Sequence, residues 1–391
     1  MPIINRIAEF HREMTEWRQD LHAHPELALQ ETRTSGVVQA KLKEFGVDEI
    51  ITGLARTGVV GVIRGHGGSD RAIGLRADMD ALPIIEETGA PHASQNPGVM
   101  HACGHDGHTT MLLGAAKYLA ETRNFDGTVY VIFQPAEENL AGGDIMVKDG
   151  LFERCPMQMV FGMHNAPRMP AGTFAWRNGP IMAAVANIEI TITGKGTHAA
   201  MPHLGTDPIV IASHIVTALQ TIVARSIDPV EGGVVTIGHI NGGDTYNVIP
   251  ETVRMLGTAR WFDTHVGDQL EDGVRRLATG IATSFGAKAD VVFSRDYPTT
   301  VNDADATVLV RRAATTVAGE ARVVHMAKPI MAGEDFSFML NTKQGSFVML
   351  GGGRGKDDAN LHHPAYDFND EVLPIGASYW ATLAEQLLAR G

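Results

Sequence analysis

The order of predicted strands and helices changes near residue 183, and this change constrains the fold more than any other feature of the sequence. Six segments follow it: a strand at 185–193, a helix at 207–227, strands at 234–240 and 252–261, a helix at 266–285 and a strand at 288–294. The order β-α-β-β-α-β is that of a ferredoxin-like sandwich, which is a complete domain in about 110 residues. We therefore predict an inserted domain at residues 183–295.

The sequence on both sides of the insertion has an α/β pattern. Before it, helices are predicted at 3–21 and 34–45, and buried strands at 59–63, 72–75, 127–133 and 160–165. After it, helices are predicted from about Asp303, from Gly333-Glu334-Asp335-Phe336 and at 373–388, with strands at 322–326 and 347–350. Short apolar strands that alternate with helices are typical of a sheet covered on both faces. We predict that residues 1–182 and 296–391 form one α/β domain.

Composition limits the class of protein. A chain of 391 residues is longer than a single core of the usual size, which favours two domains. The formal net charge of −13 argues against nucleic acid or an anionic membrane as the main partner. The N-terminus has no signal-peptide pattern, and we expect no apolar run near the ~18 residues of a spanning helix. Two cysteines are too few for a disulfide framework, so we expect a cytoplasmic protein.

The strongest candidate for a chemical site is Cys103-Gly104-His105, which precedes an apolar helical run at 111–119. A thiolate and an imidazole separated by one glycine can both turn toward one metal ion, because glycine lets the backbone fold tightly between them. Two more histidines, His101 and His108, lie close on either side. The alternative interpretation of this stretch is a solvated histidine cluster on the surface.

Further candidate ligands follow two other predicted strands. Glu137 and Glu138 come after the strand at 127–133, and His164 ends the strand at 160–165. Adjacent glutamates cannot face the same way, so one can bind a metal while the other points at the water that the metal polarises. A solvated loop pair is the alternative for the glutamates. Convergence of all these groups on one edge of a sheet favours a metal site.

Two aspartates, Asp78 and Asp80, end the predicted strand at 72–75. At strand spacing their carboxylates point to the same side, where open α/β sheets hold their ligands. Taken alone, they are equally consistent with turn and capping residues.

Several motifs occur together in a fixed order, and they are listed here: His101-Ala-Cys-Gly-His105-Asp-Gly-His, Glu137-Glu138, Gly162-Met-His164-Asn, Gly194-Lys-Gly-Thr-His198-Ala-Ala-Met-Pro and Leu361-His-His-Pro. This set resembles the amidohydrolase branch of the aminoacylase/carboxypeptidase superfamily of metallohydrolases. That branch contains hippurate hydrolases, bacterial N-acyl-L-amino-acid amidohydrolases and plant hydrolases of indole-acetyl amino acids. The resemblance covers essentially the whole chain. It implies a zinc-peptidase-like α/β/α catalytic domain interrupted by a ferredoxin-like dimerisation (lid) domain.

The resemblance also implies a site for two divalent metal ions. Its ligands would be Cys103, His105, Glu138, His164 and His362. We prefer His362 to its neighbour His363 only because the family's ligand is the first histidine of the pair. Glu137 matches the general base, and Asp80 matches an aspartate that orients a ligand. His101 and His108 match no ligand and are interpreted as structural.

In the inserted domain, the resemblance implies three residues that act on substrate. His198 matches an oxyanion donor placed over the scissile carbonyl, and Asn247 and Arg260 match substrate-binding positions. An arginine suits the free carboxylate of an N-acyl amino acid, because its planar fork can bind both oxygens. Without the resemblance, His198 would be interpreted as a satisfied loop histidine and Arg260 as a salt-bridge partner. The resemblance further implies a homodimer, possibly a tetramer, in which the loop at 194–202 reaches the neighbouring subunit's metal centre.

One departure from the wider superfamily concerns the metals. Many members have a His-x-Asp ligand pair after the second strand, whereas this chain has Asp78-Met79-Asp80, and His105 stands near the position of the bridging carboxylate. A thiolate ligand favours zinc, while nitrogen and carboxylate ligands also accept manganese, cobalt or nickel. The sequence therefore leaves the identity of the metals open.

These observations predict metal-dependent hydrolysis of the amide bond of N-acyl amino acids such as hippurate. Within the enzyme class, the alternatives are an N-acetyl-diaminopimelate-type deacetylase and a dipeptidase. A catalytically inactive, ligand-binding homologue is the alternative from another class. A lost base or a broken ligand set would favour it, and here all of those residues are present.

Overall fold

The computed structural model describes residues 3–356 and 358–390. These residues form two compact units. The larger unit comprises Met1–Ile181, Thr300–Pro329 and Glu334–Gly391, and the smaller unit comprises Met182–Thr299 and Ile330–Gly333, in each case as far as the residues are described. The smaller unit is therefore an insertion into the larger one.

The elements of the chain up to the insertion are α1 (Asn5–Glu9), α2 (His11–Ala23), α3 (Thr32–Phe45), β1 (Glu49–Leu54), β2 (Gly58–Arg64), β3 (Ala72–Asp78), α4 (His105–Thr122), β4 (Thr128–Gln134), α5 (Gly142–Lys148), α6 (Leu151–Arg154), β5 (Met159–Pro170), β6 (Phe174–Trp176) and β7 (Gly179–Met182). The insertion contains β8 (Ala184–Thr193), β9 (Thr197–His198), α7 (Pro208–Thr221), β10 (Gly233–Asn241), β11 (Val248–Ile249), β12 (Thr252–Trp261), α8 (Thr264–Ser284) and β13 (Lys288–Tyr297). The remaining elements are β14 (Thr300–Asn302), α9 (Ala304–Ala318), β15 (Val323–His325), α10 (Phe336–Leu340), β16 (Gln344–Gly353) and α11 (Leu373–Leu387).

An eight-stranded sheet organises the larger unit, with the strand order β1-β2-β4-β3-β5-β16-β6-β15. Its four central strands, β4, β3, β5 and β16, run parallel to one another. They are almost continuously buried, which explains their near-continuous apolar sequences. Because the strands are parallel, their carboxyl ends meet at one edge of the sheet, where α/β proteins place their sites.

The opening helix differs from the sequence prediction. A single helix was expected at 3–21, whereas the structure has α1 and α2 with a break at Phe10. The Phe10 ring is buried, and the cationic groups of Arg6 and Lys117 lie 4.6 Å and 4.4 Å from its centre. Tertiary contacts of this ring accompany the break, which the periodicity of the apolar residues does not reveal.

The smaller unit has the predicted β-α-β-β-α-β order, with the short strands β9 and β11 added in its loops. Its four main strands form an antiparallel sheet in the order β10-β12-β8-β13. Burial alternates along β8, and Ile188, Ile190 and Ile192 face a core that α7 and α8 complete. The alternation explains why these strands were recognisable from sequence.

One stretch contradicts the expectation that no apolar run approaches membrane-spanning length. Pro208–Ser226, which is α7 with the helical turn that follows it, is long and apolar enough to cross a membrane by length and composition alone. Such a single helix is weak evidence, because core helices pass the same test. In α7, Ile211, Ile215 and Leu219 pack into the core of the smaller unit, which accounts for part of its apolar composition.

Candidate metal centre

The predicted metal loop has a backbone conformation that requires glycine. Gly104, immediately before α4, has φ +91°, in the left-handed region. A Cβ atom there would lie 2.4 Å from Asn165 Nδ2 and 2.6 Å from the Tyr366 hydroxyl. The tight turn places Cys103 and His105 on either side of this glycine, and both side chains are buried.

The structure brings together all five side chains that the sequence analysis nominated as metal ligands; we call them the five-residue cluster. They form two overlapping groups, Cys103 with His105 and His164, and Cys103 with Glu138 and His362, and within each group the possible ligand atoms lie within 4.8 Å of one another. Cys103 belongs to both groups. One thiol is therefore placed to serve two neighbouring cations.

Two atoms of the cluster are polar, buried and without a hydrogen-bond partner in the described part of the chain. They are Nε2 of His105 and Oε1 of Glu138, and they lie 3.8 Å apart. Burying such atoms without a partner is unfavourable, and a divalent cation would satisfy both. The thiol, imidazole and carboxylate donors of the cluster thus fit a metal site.

Hydrogen bonds, burial and neighbouring charges set the protonation of the two buried imidazoles of the cluster, those of His164 and His105. Burial lowers the pKa of His164 to about 3, so its ring is neutral. His164 Nδ1 donates to the carbonyl oxygen of Asn165 at 2.7 Å, which leaves Nε2 as the lone-pair atom, 3.4 Å from Cys103 Sγ. For His105, burial acts to lower the pKa, but the carboxylates of Asp78, Asp80 and Glu138 raise it to about 10. This imidazole lies in a strongly negative surrounding that favours a cation.

Asp80 connects two members of the cluster. His105 Nδ1 lies 2.9 Å from the Asp80 carbonyl oxygen and 3.2 Å from Asp80 Oδ1. Asp80 Oδ2 accepts a hydrogen bond from the backbone N–H of Glu138 at 3.0 Å. The aspartate therefore fixes the ring orientation of His105 and the backbone beside Glu138.

Glu137 lies beside the cluster, and its carboxylate belongs to a group with His105 and Glu138 in which the ligand atoms lie within 4.8 Å. The residue before it, Ala136, has φ +58°, and this turn follows directly on β4. Burial, and then the carboxylates of Glu334 and Glu138, raise the pKa of Glu137 well above its usual value. A cation in the cluster would oppose the effect of these carboxylates and favour the ionised form.

The two histidines at 362 and 363 have different surroundings. His362 Nε2 lies 3.4 Å from Glu138 Oε2, and His362 has φ +62°. In contrast, His363 Nδ1 accepts a hydrogen bond from the backbone N–H of Ala365 at 3.1 Å. A left-handed conformation at a non-glycine residue is uncommon and concentrates at functional sites. The geometry therefore separates the two candidates, which the sequence could not.

A buried network behind the cluster was not foreseen as a unit. Asp78 accepts from Arg76 at 2.7 Å and from His108 Nδ1 at 2.6 Å. His108 Nε2 accepts the backbone N–H of Asn165 at 2.9 Å, and Asn165 donates from its side chain to the Cys103 carbonyl oxygen at 2.6 Å. The Asp78 carboxylate is thus hydrogen-bonded to Arg76 and His108, whereas the Asp80 carboxylate is hydrogen-bonded to members of the cluster. Neither ring nitrogen of the other neighbour, His101, has a hydrogen-bond partner among the described residues.

The comparisons with known proteins show the family of the chain. The model of peptidase family M20/M25/M40 matches residues 74–386. The chain belongs to peptidase family M20/M25/M40. It is 40% identical over 388 residues to the hippurate hydrolase of Campylobacter jejuni, covering 99% of this chain and 100% of the relative. It is 43% identical over 364 residues to the N-acetyl-L-cysteine deacetylase of Bacillus subtilis, covering 93% of this chain and 85% of the relative.

A solved structure supports the same conclusion. The chain superimposes with a TM-score of 0.83 and 36% identity on a dinuclear metal binding peptidase of the M20 family from Bacillus subtilis, covering 97% of this chain and 99% of that one. The comparison confirms the α/β fold class with its catalytic and inserted domains. This M20 protein is a metal-dependent amidohydrolase that acts on amides of small molecules. The candidate ligand groups of the larger unit support divalent metal ions as its cofactors.

The smaller unit of this M20 hydrolase contains the other predicted site residues. His198 of β9 pairs with Val248 of β11, and the Asn247 carbonyl oxygen accepts the Ala199 N–H at 3.0 Å. His198 and Asn247 therefore lie together at exposed positions. Arg260 lies near the far end of β12, where it donates to the Thr258 hydroxyl and to the carbonyl oxygen of Ala259, so the structure does not bring it to this pair.

Proposed function

We propose that this M20 enzyme hydrolyses the amide bond of N-acyl amino acids, releasing a carboxylic acid and a free amino acid. The observation that carries the proposal is the convergence of the five-residue cluster with the buried carboxyl group of Glu137. The relatives named for hippurate and for N-acetyl-L-cysteine support the substrate class, since both compounds are N-acyl amino acids.

The five-residue cluster is the proposed site of two divalent ions, and Asp80 orients His105 within it. When bound, such ions lower the pKa of a water molecule and polarise the amide carbonyl. Zinc suits the thiol of Cys103 best, and manganese, cobalt and nickel also suit the imidazole and carboxylate donors. Metal analysis of protein purified without added metal, together with reconstitution by each ion, tests this ranking.

Glu137 is the proposed general base and later the general acid. It lies beside His105 and Glu138, within reach of a water molecule held at the cluster. Glu137 takes a proton from that water and then gives it to the amide nitrogen as the nitrogen departs. Its burial keeps bulk water away from the transferred proton.

In the smaller unit, His198 is proposed to donate a hydrogen bond to the developing oxyanion, Asn247 to bind the substrate, and Arg260 to bind the free carboxylate of the substrate. His198 Nδ1 accepts the backbone N–H of Ala200 at 3.0 Å, which leaves Nε2 as the available donor. The half-buried guanidinium of Arg260 is suited to a carboxylate because both oxygens can be bound.

A homodimer formed through β10 is part of the proposal, with a tetramer as its larger alternative. The two edges of the smaller sheet differ in charge. The edge strand β13 carries Lys288, Asp290, Arg295 and Asp296, whereas β10 carries no Lys, Arg, Asp or Glu. Charged residues protect sheet edges from pairing, so the uncharged β10 is the edge suited to a second copy.

Matched substitutions test the dimer. Ile240 in β10 and Val292 in β13 are 52% and 56% exposed, which makes them comparable sites. Ile240→Lys should give a monomer by light scattering, while Val292→Lys should leave the dimer intact. A dimer that survives Ile240→Lys but dissociates with Val292→Lys would place the interface on the other edge.

A substrate panel tests the proposed function. Hippurate, N-acetyl-L-cysteine, N-acetyl-diaminopimelate and a set of dipeptides should be compared by kcat/KM with zinc or manganese added. The proposal predicts the highest values for N-acyl amino acids. Preference for N-acetyl-diaminopimelate would favour a dedicated deacetylase, and preference for dipeptides would favour a dipeptidase. Metal-loaded protein without turnover of any substrate would favour a ligand-binding homologue.

A cytoplasmic location is the last part of the proposal. Both cysteines are free and buried, and Cys103 must stay reduced to bind a metal. A reducing compartment preserves that thiol. Fractionation of cells that express the protein tests the location, and recovery outside the cytoplasm would contradict it.

A further inference from the structure

Asp335 joins the two ends of the loop that carries Glu137 and Glu138. The loop begins after Gln134, the last residue of β4, and ends at the first turn of α5, which contains Gly143. Gln134 Nε2 lies 2.8 Å from each carboxylate oxygen of Asp335. The backbone N–H of Gly143 donates to Asp335 Oδ2 at 2.7 Å. One carboxylate therefore binds both ends of the loop.

The same residue also contacts the proposed base. The backbone N–H of Asp335 points to Glu137 Oε1 at 3.4 Å, a long hydrogen bond. Asp335 precedes α10, where an aspartate side chain usually caps its own helix. Its side chain makes no such cap here, and Glu334 instead accepts the first free N–H of α10, that of Phe336, at 2.9 Å. The Asp335 carboxylate is thus directed to the loop rather than to its own helix.

Arg76 holds Asp335 in this position. Its guanidinium donates to Asp335 Oδ1 at 2.9 Å and to the Gln134 side chain at 2.8 Å, and it lies 3.0 Å from Glu334 Oε1. The Arg76 and Asp335 side chains are fully buried. Removing one partner of a buried ion pair is strongly destabilising, so Arg76 resists displacement of Asp335.

The contact with α5 leaves no space for a side chain at Gly143. A Cβ atom there would lie 2.8 Å from the Asp335 carbonyl oxygen and 3.2 Å from its carboxylate. The approach of the two backbones is therefore as close as glycine allows. A methyl group at Gly143 would move the loop relative to Asp335 without changing any charge.

We propose that Asp335 is a positioning residue for Glu137: it fixes the loop at 135–142 so that the base stays aligned with the reacting water. The inference rests on the proposed role of Glu137 as general base. A misplaced Glu137 slows proton transfer, whereas the Glu138 backbone is held separately by Asp80 Oδ2, so metal affinity and substrate affinity should change little. Loss of Asp335 function should consequently lower kcat rather than raise KM.

The test compares Asp335→Asn and Gly143→Ala with wild type, using kcat, KM and bound metal. Asparagine keeps the shape of the side chain but replaces one acceptor oxygen by a donor group. Both variants should lose about 10- to 100-fold in kcat, the range typical of groups that orient site residues, with KM and metal content near wild type. Two variants are used because Asp335→Asn alone could fail to fold, whereas Gly143→Ala keeps the buried charges.

The matched control is Asp303→Asn. Asp303 caps α9 by accepting the N–H of Ala306 at 2.9 Å, and asparagine keeps an acceptor oxygen for that bond. The same substitution in this structural contact should therefore leave both kcat and the melting temperature close to wild type. Wild-type kcat in both Asp335→Asn and Gly143→Ala would overturn the inference, as would a fall in kcat that only follows loss of metal. Failure of the proposed function is distinguishable, because then wild-type protein would not hydrolyse N-acyl amino acids or Glu137→Gln would remain active.

Discussion

Nε2 of His105 faces Oε1 of Glu138 across 3.8 Å, and neither atom has a hydrogen-bond partner in the described part of the chain. In the unfolded chain, water would form hydrogen bonds with both atoms. Burying them without a partner therefore lowers the free energy of unfolding. At this pair the two atoms belong to two of the proposed ligands and lie close enough to share one cation. Binding of a cation would recover this free energy, which couples metal affinity to stability.

Metal removal should therefore reduce both stability and activity. A ligand at 1,000 times its dissociation constant adds about 4 kcal/mol to the free energy of unfolding. Chelator should abolish turnover and lower the melting temperature, and added zinc or manganese should restore both. Cys103→Ala should lose metal in elemental analysis, because Cys103 belongs to both ligand groups. A folded Cys103→Ala protein with full metal content and full activity would refute its role as a ligand.

The two adjacent glutamates should respond oppositely to substitution. Glu137→Gln should keep metal but lose at least ~10²–10⁴ in kcat, because the water loses its proton acceptor. Glu138→Gln should lose metal, since Glu138 lies between His105 and His362. Each variant is the control for the other, with kcat and elemental analysis measured on both. The opposite assignment of the two effects would reverse the proposed roles.

The sequence predicted those parts of the protein that depend on local patterns. The alternation in β8 and the motif Cys103-Gly104-His105 are properties of short segments, so the inserted domain and the start of the cluster could be recognised. In contrast, the contact between Arg76 and Asp335 joins residues 259 positions apart. No periodicity encodes such a contact. The sequence predicted a helix start near Asp335. It did not reveal that the Asp335 carboxylate binds the loop that carries Glu137.

The limits of local patterns also appear at His362. The choice between His362 and His363 depended on the order of residues in related proteins, whereas the structure separates them by backbone conformation and by neighbours. For Arg260 and Asn247 the resemblance implied substrate-binding positions, and the structure of the smaller unit places the two residues apart. The separation follows from the pairing of β11 with β9 and from the position of Arg260 along β12, which no short motif reveals.

Gly104 should be irreplaceable for two separable reasons. Left-handed backbone costs a non-glycine residue about 1–2 kcal/mol, and a Cβ at Gly104 would also collide with Asn165 and Tyr366. Gly46, which ends α3 with φ +73°, has open space around it and isolates the first cost. Urea unfolding should show a moderate loss for Gly46→Ala and a larger one for Gly104→Ala, with reduced metal content only in the latter. Equal losses would mean that the collision is relieved without disturbing the loop.

Glu31 should make stability fall as pH rises. Burial raises the pKa of Glu31 from 4.5 to about 7, although the Thr57 hydroxyl and backbone N–H groups, including that of Ala136, donate to its carboxylate. The pKa of Glu31 is higher in the folded state than in the unfolded state. Its contribution to the free energy of unfolding is therefore complete below about pH 4.5 and is lost as pH rises through 7. The loss amounts to about 3 kcal/mol.

Glu31→Gln isolates that contribution. Glutamine can accept the backbone N–H groups with its oxygen and donate to the Thr57 hydroxyl, so the fold should be retained. Urea unfolding of both proteins between pH 5 and 8 should show the wild type losing stability relative to the variant as pH rises. A constant difference in free energy over this range would show that the pKa of Glu31 is not raised.

The proposed dimer makes a prediction about which subunit supplies His198. If His198 acts on the neighbouring subunit's site, a heterodimer of His198→Ala and Glu137→Gln has one site with both defects and one with neither. Random exchange should then restore about a quarter of wild-type activity, because half the dimers are mixed and each has one intact site. If His198 acts within its own subunit, every site keeps one defect.

Subunit exchange must be shown independently, for example by mass spectrometry of differently labelled subunits. Each variant alone provides the baseline, and a mixture of His198→Ala with wild type checks that exchange itself does not inactivate the enzyme. An inactive mixture of the two variants with proven exchange would exclude a shared site. It would leave the β10 interface as a purely structural contact, since pairing through an uncharged edge strand protects the sheet whether or not His198 crosses to the partner.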